Sequence, residues 1–299
     1  MESSVATTMT PQSLKAIRSP GYGSLFVRRL RADRVTLACL AILVVIALAA
    51  IFADHLALAD PLKTSMVRRL KPIGTPGFWL GSDELGRDML SRLVYGGRMS
   101  LLMGTWPVAN AVIVGGALGI VAGYAGGWLN MAIMRTVDVF YAFPSVLLAV
   151  AISGALGSGL KNAIVALTVV FIPPLVRIAE TAATQVRGLD YVEAARASGA
   201  GAATIIRVHL LPNVLGPIVV YASGLFSVSI ILASGLSFLG LGVEPPQAEW
   251  GLMLNSLRQA IYVQPSVAAL PGLMIFVTSM CFNLMSDGVR SAMDVRLNK

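Results

Sequence analysis

The chain has 299 residues, of which 56% are hydrophobic and only 13% charged, against about 25% charged in a soluble globular domain. So little charge cannot coat a water-facing surface, which excludes a soluble protein, while the apolar content and the count of two cysteines exclude disorder, collagen and a disulfide scaffold. The net charge of +8 would raise nucleic acid as a partner in a soluble chain, but basic residues beside membrane spans fix orientation in the bilayer, so no nucleic-acid partner is implied.

A bilayer core of about 30 Å takes roughly 20 apolar residues in a helix. After a basic N-terminal segment at 1–34, residues 35–53 form the first such run. Ala47-Leu48-Ala49 resembles a signal-peptide cleavage site, but the apolar run is too long for an h-region of about 7–15 residues and the leader is too long as well, so the span stays as an anchor. A segment at 54–98 follows. Near its end Leu85, Met89, Leu90, Leu93 and Val94 share one helical face, with Arg87, Asp88 and Arg92 opposed or flanking. This predicts a short amphipathic helix, capped by Ser82 or Asp83, lying on the membrane surface. Residues 99–289 carry five more spans: 101–124, ending in a turn at Gly126-Gly127; 139–159; a shorter one at 162–176; 214–236; and 267–285. A tail at 290–299 closes the chain. The fold class expected is an all-α integral membrane protein with six transmembrane helices.

Six spans put both termini on one side. If that side is the cytoplasm it holds 14 of the 23 basic residues, six of them before the first span. The segment 54–98 carries seven of the remaining basic residues, yet long loops translocate with less regard to charge. The orientation read is N-in and C-in.

What the chain lacks narrows its chemistry. There is no G-x-x-x-x-G-K-[ST] loop to cradle phosphates and no G-x-S-x-G elbow. His55 and His209 stand apart from each other and from any ligand at metal-binding spacing. No carboxylate lies within a span interior, the usual mark of proton-coupled carriers. Asp138 is the nearest, and its position three residues after Arg135 suggests an ion pair on one helix face at the inner interface. Cys39 and Cys281 read as free packing thiols. Gly115, Gly119 and Gly123 recur every four residues, with Gly116 beside them and Gly127 next in the series, which lets a neighbouring helix approach closely within this subunit. Pro107, Pro144, Pro173 and Pro174 interrupt spans and free carbonyls that must face protein or a wet cavity.

The inner loop at about 188–212 is the most specific piece. Asp190 with Glu193 makes a capping box that starts a helix at Tyr191, Ala194 and Ala195 give it a low face, and Gly199 ends it in the left-handed conformation. A second helical stretch at 202–211 is expected to stop before Pro212. A short capped helix with a smooth face, presented by a membrane protein, suits the groove of a soluble partner. On these residues a transporter, including a secondary carrier, and a membrane assembly protein with no transport role both stay open.

Glu193-Ala194-Ala195, then Gly199, then Leu211-Pro212 resembles the EAA loop of permease subunits of binding-protein-dependent ABC importers. His209 stands where the family usually has Ile. Leu80-Gly81-Ser82-Asp83, Arg135-Thr136-Val137-Asp138, Phe238-Leu239-Gly240-Leu241-Gly242, Pro245-Pro246 with Glu249-Trp250-Gly251, and Phe282 to Gly288 look like the C-type permease of dipeptide, oligopeptide and nickel importers. The resemblance implies a type I permease fold with a cytoplasmic coupling helix, in the bacterial inner membrane. It implies as partners a related B-type permease, two ATPase subunits or domains, and an extracytoplasmic substrate-binding protein. ATP and Mg would sit on the ATPases, with no cofactor and no catalysis on this chain. The coupling residues would be Asp190, Tyr191, Glu193, Ala194, Ala195, Gly199, Leu211 and Pro212, while Glu244, Glu249 and Trp250 would face the binding protein. Peptides are the cargo expected, with nickel or another small solute as the alternative.

Overall fold

A computed structural model describes residues 28–57 and 59–293, so most of the basic leader and the end of the C-terminal tail lie outside the described residues. Among the described residues there are helices and connecting loops, two isolated bridges and no strand. The long helices are α1 (Arg34–Ile51), α2 (Met89–Ala125), α3 (Gly127–Tyr141), α4 (Ser145–Leu156) and α5 (Leu160–Arg187). They continue as the short α6 (Asp190–Ala197), then α7 (Leu211–Phe238), the short α8 (Trp250–Ser256) and α9 (Pro265–Met293). Five stretches are long and apolar enough to cross a bilayer, and α3 with α4, taken as one bent span, makes a sixth.

The first span holds. Asp33 caps α1, its carboxylate accepting from the Val35 and Thr36 amides at 3.0 and 3.4 Å. The surface helix does not. Residues 89–94 open α2, which runs unbroken for 37 residues, and its N-cap is Asp88, which accepts from the Ser91 amide at 2.8 Å. The charges expected to face water are buried instead: Arg87 donates to Asp83 at 2.6 Å, Arg92 lies 3.4 Å from the same carboxylate and donates to the Pro61 carbonyl at 3.1 Å. Once paired, these groups can be enclosed, and Met89 and Leu93 pack under Trp250 and Val267.

The third span is also built differently. α3 and α4 meet at a 90° bend, and Pro144 precedes α4, where the restriction that proline places on the preceding residue disfavours a continuous helix. The fourth span is longer than expected, because α5 carries its charges past residue 176 as far as Arg187. Pro107 and Pro173-Pro174 lie inside unbroken helices, as do Pro217 and Pro271.

The glycine face packs inside this subunit, as expected. A β-carbon on Gly119 would stand 2.5 Å from both the Ala179 Cβ and the Val176 carbonyl, and one on Gly115 or Gly123 would come within 3.0 or 2.7 Å of α5. Gly127 has open space and belongs to the turn. A second close approach went unseen in the sequence: Gly288 on α9 rests against the Thr36 side chain of α1. Beside it the free thiols of Cys39 and Cys281 are buried together with Leu43. The hydroxyls of Ser223 and Ser286, 2.8 Å apart, join α7 to α9. Such small residues and short polar links are what hold helices together where lipid offers no hydrophobic drive.

Candidate functional site

The inner loop is built by the ends of four helices. α5 reaches Arg187, whose guanidinium donates to the Tyr124 carbonyl at the end of α2 at 3.2 Å. Gly188 and Leu189 then turn the chain into α6. The capping box is absent. Leu189 takes the N-cap position and no side chain caps the helix, so Asp190 and Glu193 both fall in its first turn. Their charges complement the positive end of the helix dipole there, and Arg196 complements the negative end.

One face of α6 is held and the other is free. Val192 is fully buried in the core cluster that includes Leu210 and Val214. The Tyr191 ring lies 5.8 Å from the His209 ring, and its hydroxyl accepts from the Asn213 amide at 3.3 Å. The Arg196 guanidinium sits 5.6 Å from the Tyr124 ring centroid. Glu193, Ala194 and Ala197 are exposed, and Ala195 is half-buried. Gly199 ends the helix with φ +85°, its amide bonding to the Arg196 carbonyl and the Ala200 amide to the Ala195 carbonyl, each at 3.0 Å. A side chain at Gly199 would meet no atom within 4 Å, so the requirement for glycine there is one of backbone conformation.

The stretch after Gly199 does not stop before Pro212. Ala202–Thr204 passes into a π-helical segment, Ile205–Leu210, which continues as α7 with Pro212 at its start. The wider turn absorbs the register change next to a residue that has no N–H to give. Leu211 is half-buried and Pro212 exposed. Sequence reasoning missed Val192, Asn213 and Tyr124 as the anchors of this loop. Val192 carried a signal, a lone large apolar residue between acids on a short polar helix.

The loop at 243–264 behaves differently from its expected role. Glu249 is 0% exposed and Trp250 1%, so neither presents a side chain to a partner. Glu249 caps α8, accepting from Gly251 and Leu252 amides at 2.9 and 2.8 Å and from the Ser100 hydroxyl at 2.9 Å. The Trp250 indole donates to the Leu93 carbonyl at 2.9 Å. These two residues fasten the loop onto α2. Glu244 remains exposed and accepts from Ser158.

Asp138 pairs as expected with Arg135, at 3.8 Å. Its closer partner is Arg177 of α5, which the sequence reading did not assign and which also stacks 4.9 Å from the Tyr141 ring centroid. The pair ties α3 to α5 just below the bend.

Five long apolar helices with a bent pair as a sixth crossing, a buried Asp83–Arg87–Arg92 cluster near the outer end, and one short helix offered at the inner end are the features of a multi-pass permease. The chain belongs to the family described as binding-protein-dependent transport system inner membrane component, which matches residues 115–299. Residues 21–72 match the N-terminal transmembrane domain of oligopeptide transport permease C. Over 283 residues the chain is 41% identical to a glutathione transport system permease protein of Pectobacterium atrosepticum, covering 95% of this chain and 93% of that protein. It is 43% identical over 260 residues to a di/tripeptide transport system permease protein of Pseudomonas aeruginosa, covering 85% and 86%. The MetNI methionine ABC transporter in an inward-facing form shares the fold, with TM-score 0.56 and 24% identity over 68% of this chain and 97% of that one.

Proposed function

We propose that the chain is the C-type permease of a peptide importer, lying N-in and C-in, and that α6 is its coupling helix. The single observation that carries the coupling role is the division of α6: Val192 and Tyr191 fix it to the spans while Glu193, Ala194 and Ala197 leave a low, exposed face. In this reading a homologous B-type permease completes the pathway, two ATPase subunits or domains bind ATP and Mg, and each receives one coupling helix in a cleft. Closure of the ATPase pair pushes on α6, and the force passes through Val192 and the Tyr191–His209 contact into α7. Nucleotide state then biases inward- and outward-open forms. This chain performs no hydrolysis itself. The extracytoplasmic binding protein delivers cargo to the outer segment and to the exposed turn at Glu244.

Peptide cargo is supported by the relatives that carry dipeptides, tripeptides or glutathione in their names. The test is uptake by proteoliposomes holding the whole importer and its loaded binding protein. ATP-dependent accumulation of labelled dialanine is expected, and uptake of nickel without peptide would refute the cargo assignment.

A further inference from the structure

A cavity of about 370 Å³ opens where α3 bends into α4, against α5 and α7, a volume within the range of small-molecule sites. Tyr141, Ser145 and Tyr221 line it together with Val170, Pro173 and Pro174. No formal charge lies on its walls. Three features set it apart from a lipid-facing groove. First, Pro173 and Pro174 have no N–H, so the carbonyls of Val169 and Val170 lose the donors that a regular helix supplies. Second, the hydroxyls of Tyr141, Tyr221 and Ser145 make no hydrogen bond among the described residues. Third, the Asp138–Arg177 ion pair stands at its edge, with Arg177 stacked on Tyr141. In hydrocarbon each unpaired polar group costs several kcal/mol, so backbone of this kind is tolerated only where it meets protein or lines a wet cavity.

The polar groups of the lining residues are of two kinds, the freed Val170 carbonyl on α5 and hydroxyl donors on the facing helices. A peptide backbone presents the complements, N–H donors and C=O acceptors, at every residue. Aromatic and aliphatic walls give apolar contact to side chains of any type. We propose that this cavity is a transit subsite that reads the backbone of the peptide by hydrogen bonding and limits its size, without selecting side-chain charge. The proposal rests on the peptide-importer reading above.

The test uses the complete importer in proteoliposomes, with dialanine and trialanine as probes. Val228 lines the cavity on α7, and Val228→Trp narrows it. The trialanine-to-dialanine uptake ratio is expected to fall roughly tenfold, the discrimination that a volume mismatch in a pocket supplies, and a ratio cancels any loss of assembled transporter. In parallel, benzoylphenylalanine in place of Phe143, also on the wall, is expected to label radioactive peptide when ATP and loaded binding protein are present. This arm decides the matter if Val228→Trp does not assemble. An unchanged ratio, or labelling confined to the partner permease or to lipid, overturns the subsite while leaving the importer intact. A wild-type complex that accumulates neither peptide overturns the cargo reading, and the subsite with it.

Discussion

Gly119 is the tightest point of the chain's central helix contact. A β-carbon there collides with backbone as well as with Ala179, so neither helix can yield by changing a rotamer. Gly119→Val should destabilise the subunit by about 1–3 kcal/mol, the usual range for overpacking, seen as a lower melting temperature in detergent. Gly154→Ala, on α4 with open space around it, is the control and should leave the melting temperature close to wild type. At the outer end, Asp54 accepts from Arg98 at 2.8 Å and from Tyr95 at 2.8 Å. The Arg98 hydrogen bond, then that of Tyr95, holds its carboxyl below the usual carboxylate range. A depressed folded value means the contribution is complete above the unfolded pKa and disappears as pH falls through the folded one. Wild type should therefore lose more thermal stability than Asp54→Asn when a pH series is run downward through the carboxylate range, and parallel curves would refute the assignment.

At the scale of elements, the free face of α6 makes the sharpest claim. Gly199→Val forces a β-branched residue into the left-handed region at roughly 1–2 kcal/mol, although no atom of this chain stands in its way. Glu193→Lys removes no cap bond, because none exists. It does place a positive charge in the first turn, where the dipole disfavours it by about 0.3–1 kcal/mol. The double variant should insert and pair with the partner permease, yet retain less ATPase on purification and support less uptake. Full ATPase retention with normal uptake would remove α6 from the coupling role. Much of this loop was legible from sequence because a left-handed glycine and a run of alanines are local signals. The capping box was not, since the helix starts one residue earlier than the Asp190–Glu193 spacing suggests and Leu189 takes the cap. The spans were legible for the same reason of locality: apolar runs mark them without reference to partners. The outer segment misled. An alternating pattern of apolar and charged residues looks the same whether water or later protein covers the polar side, and here the cover comes from Glu249, Trp250 and Gln247, some 150 residues further on.

For the whole molecule, α2 is the organising member. Its outer end is bound to α8 through Trp250 and the Ser100–Glu249 link, and its inner half is locked to α5 by the glycine face. At 1.5 Å per residue its 37 residues span about 55 Å, well beyond the hydrocarbon core of about 30 Å. It runs without a break, and Pro107 is carried within the helix. Such a rod is a lever. A tilt of 10° about its inner end sweeps the outer tip through roughly 10 Å at that length, so a small displacement at one membrane face becomes a large one at the other. Spin labels at Leu85 and Trp128, both exposed and close to its two ends, should keep one separation with and without nucleotide, while a pair at Trp128 and Leu156, across the 90° bend, should not. Opening and closing at the two membrane faces would then be geared together by a single stiff member, with no separate signal needed to keep both gates from standing open at once.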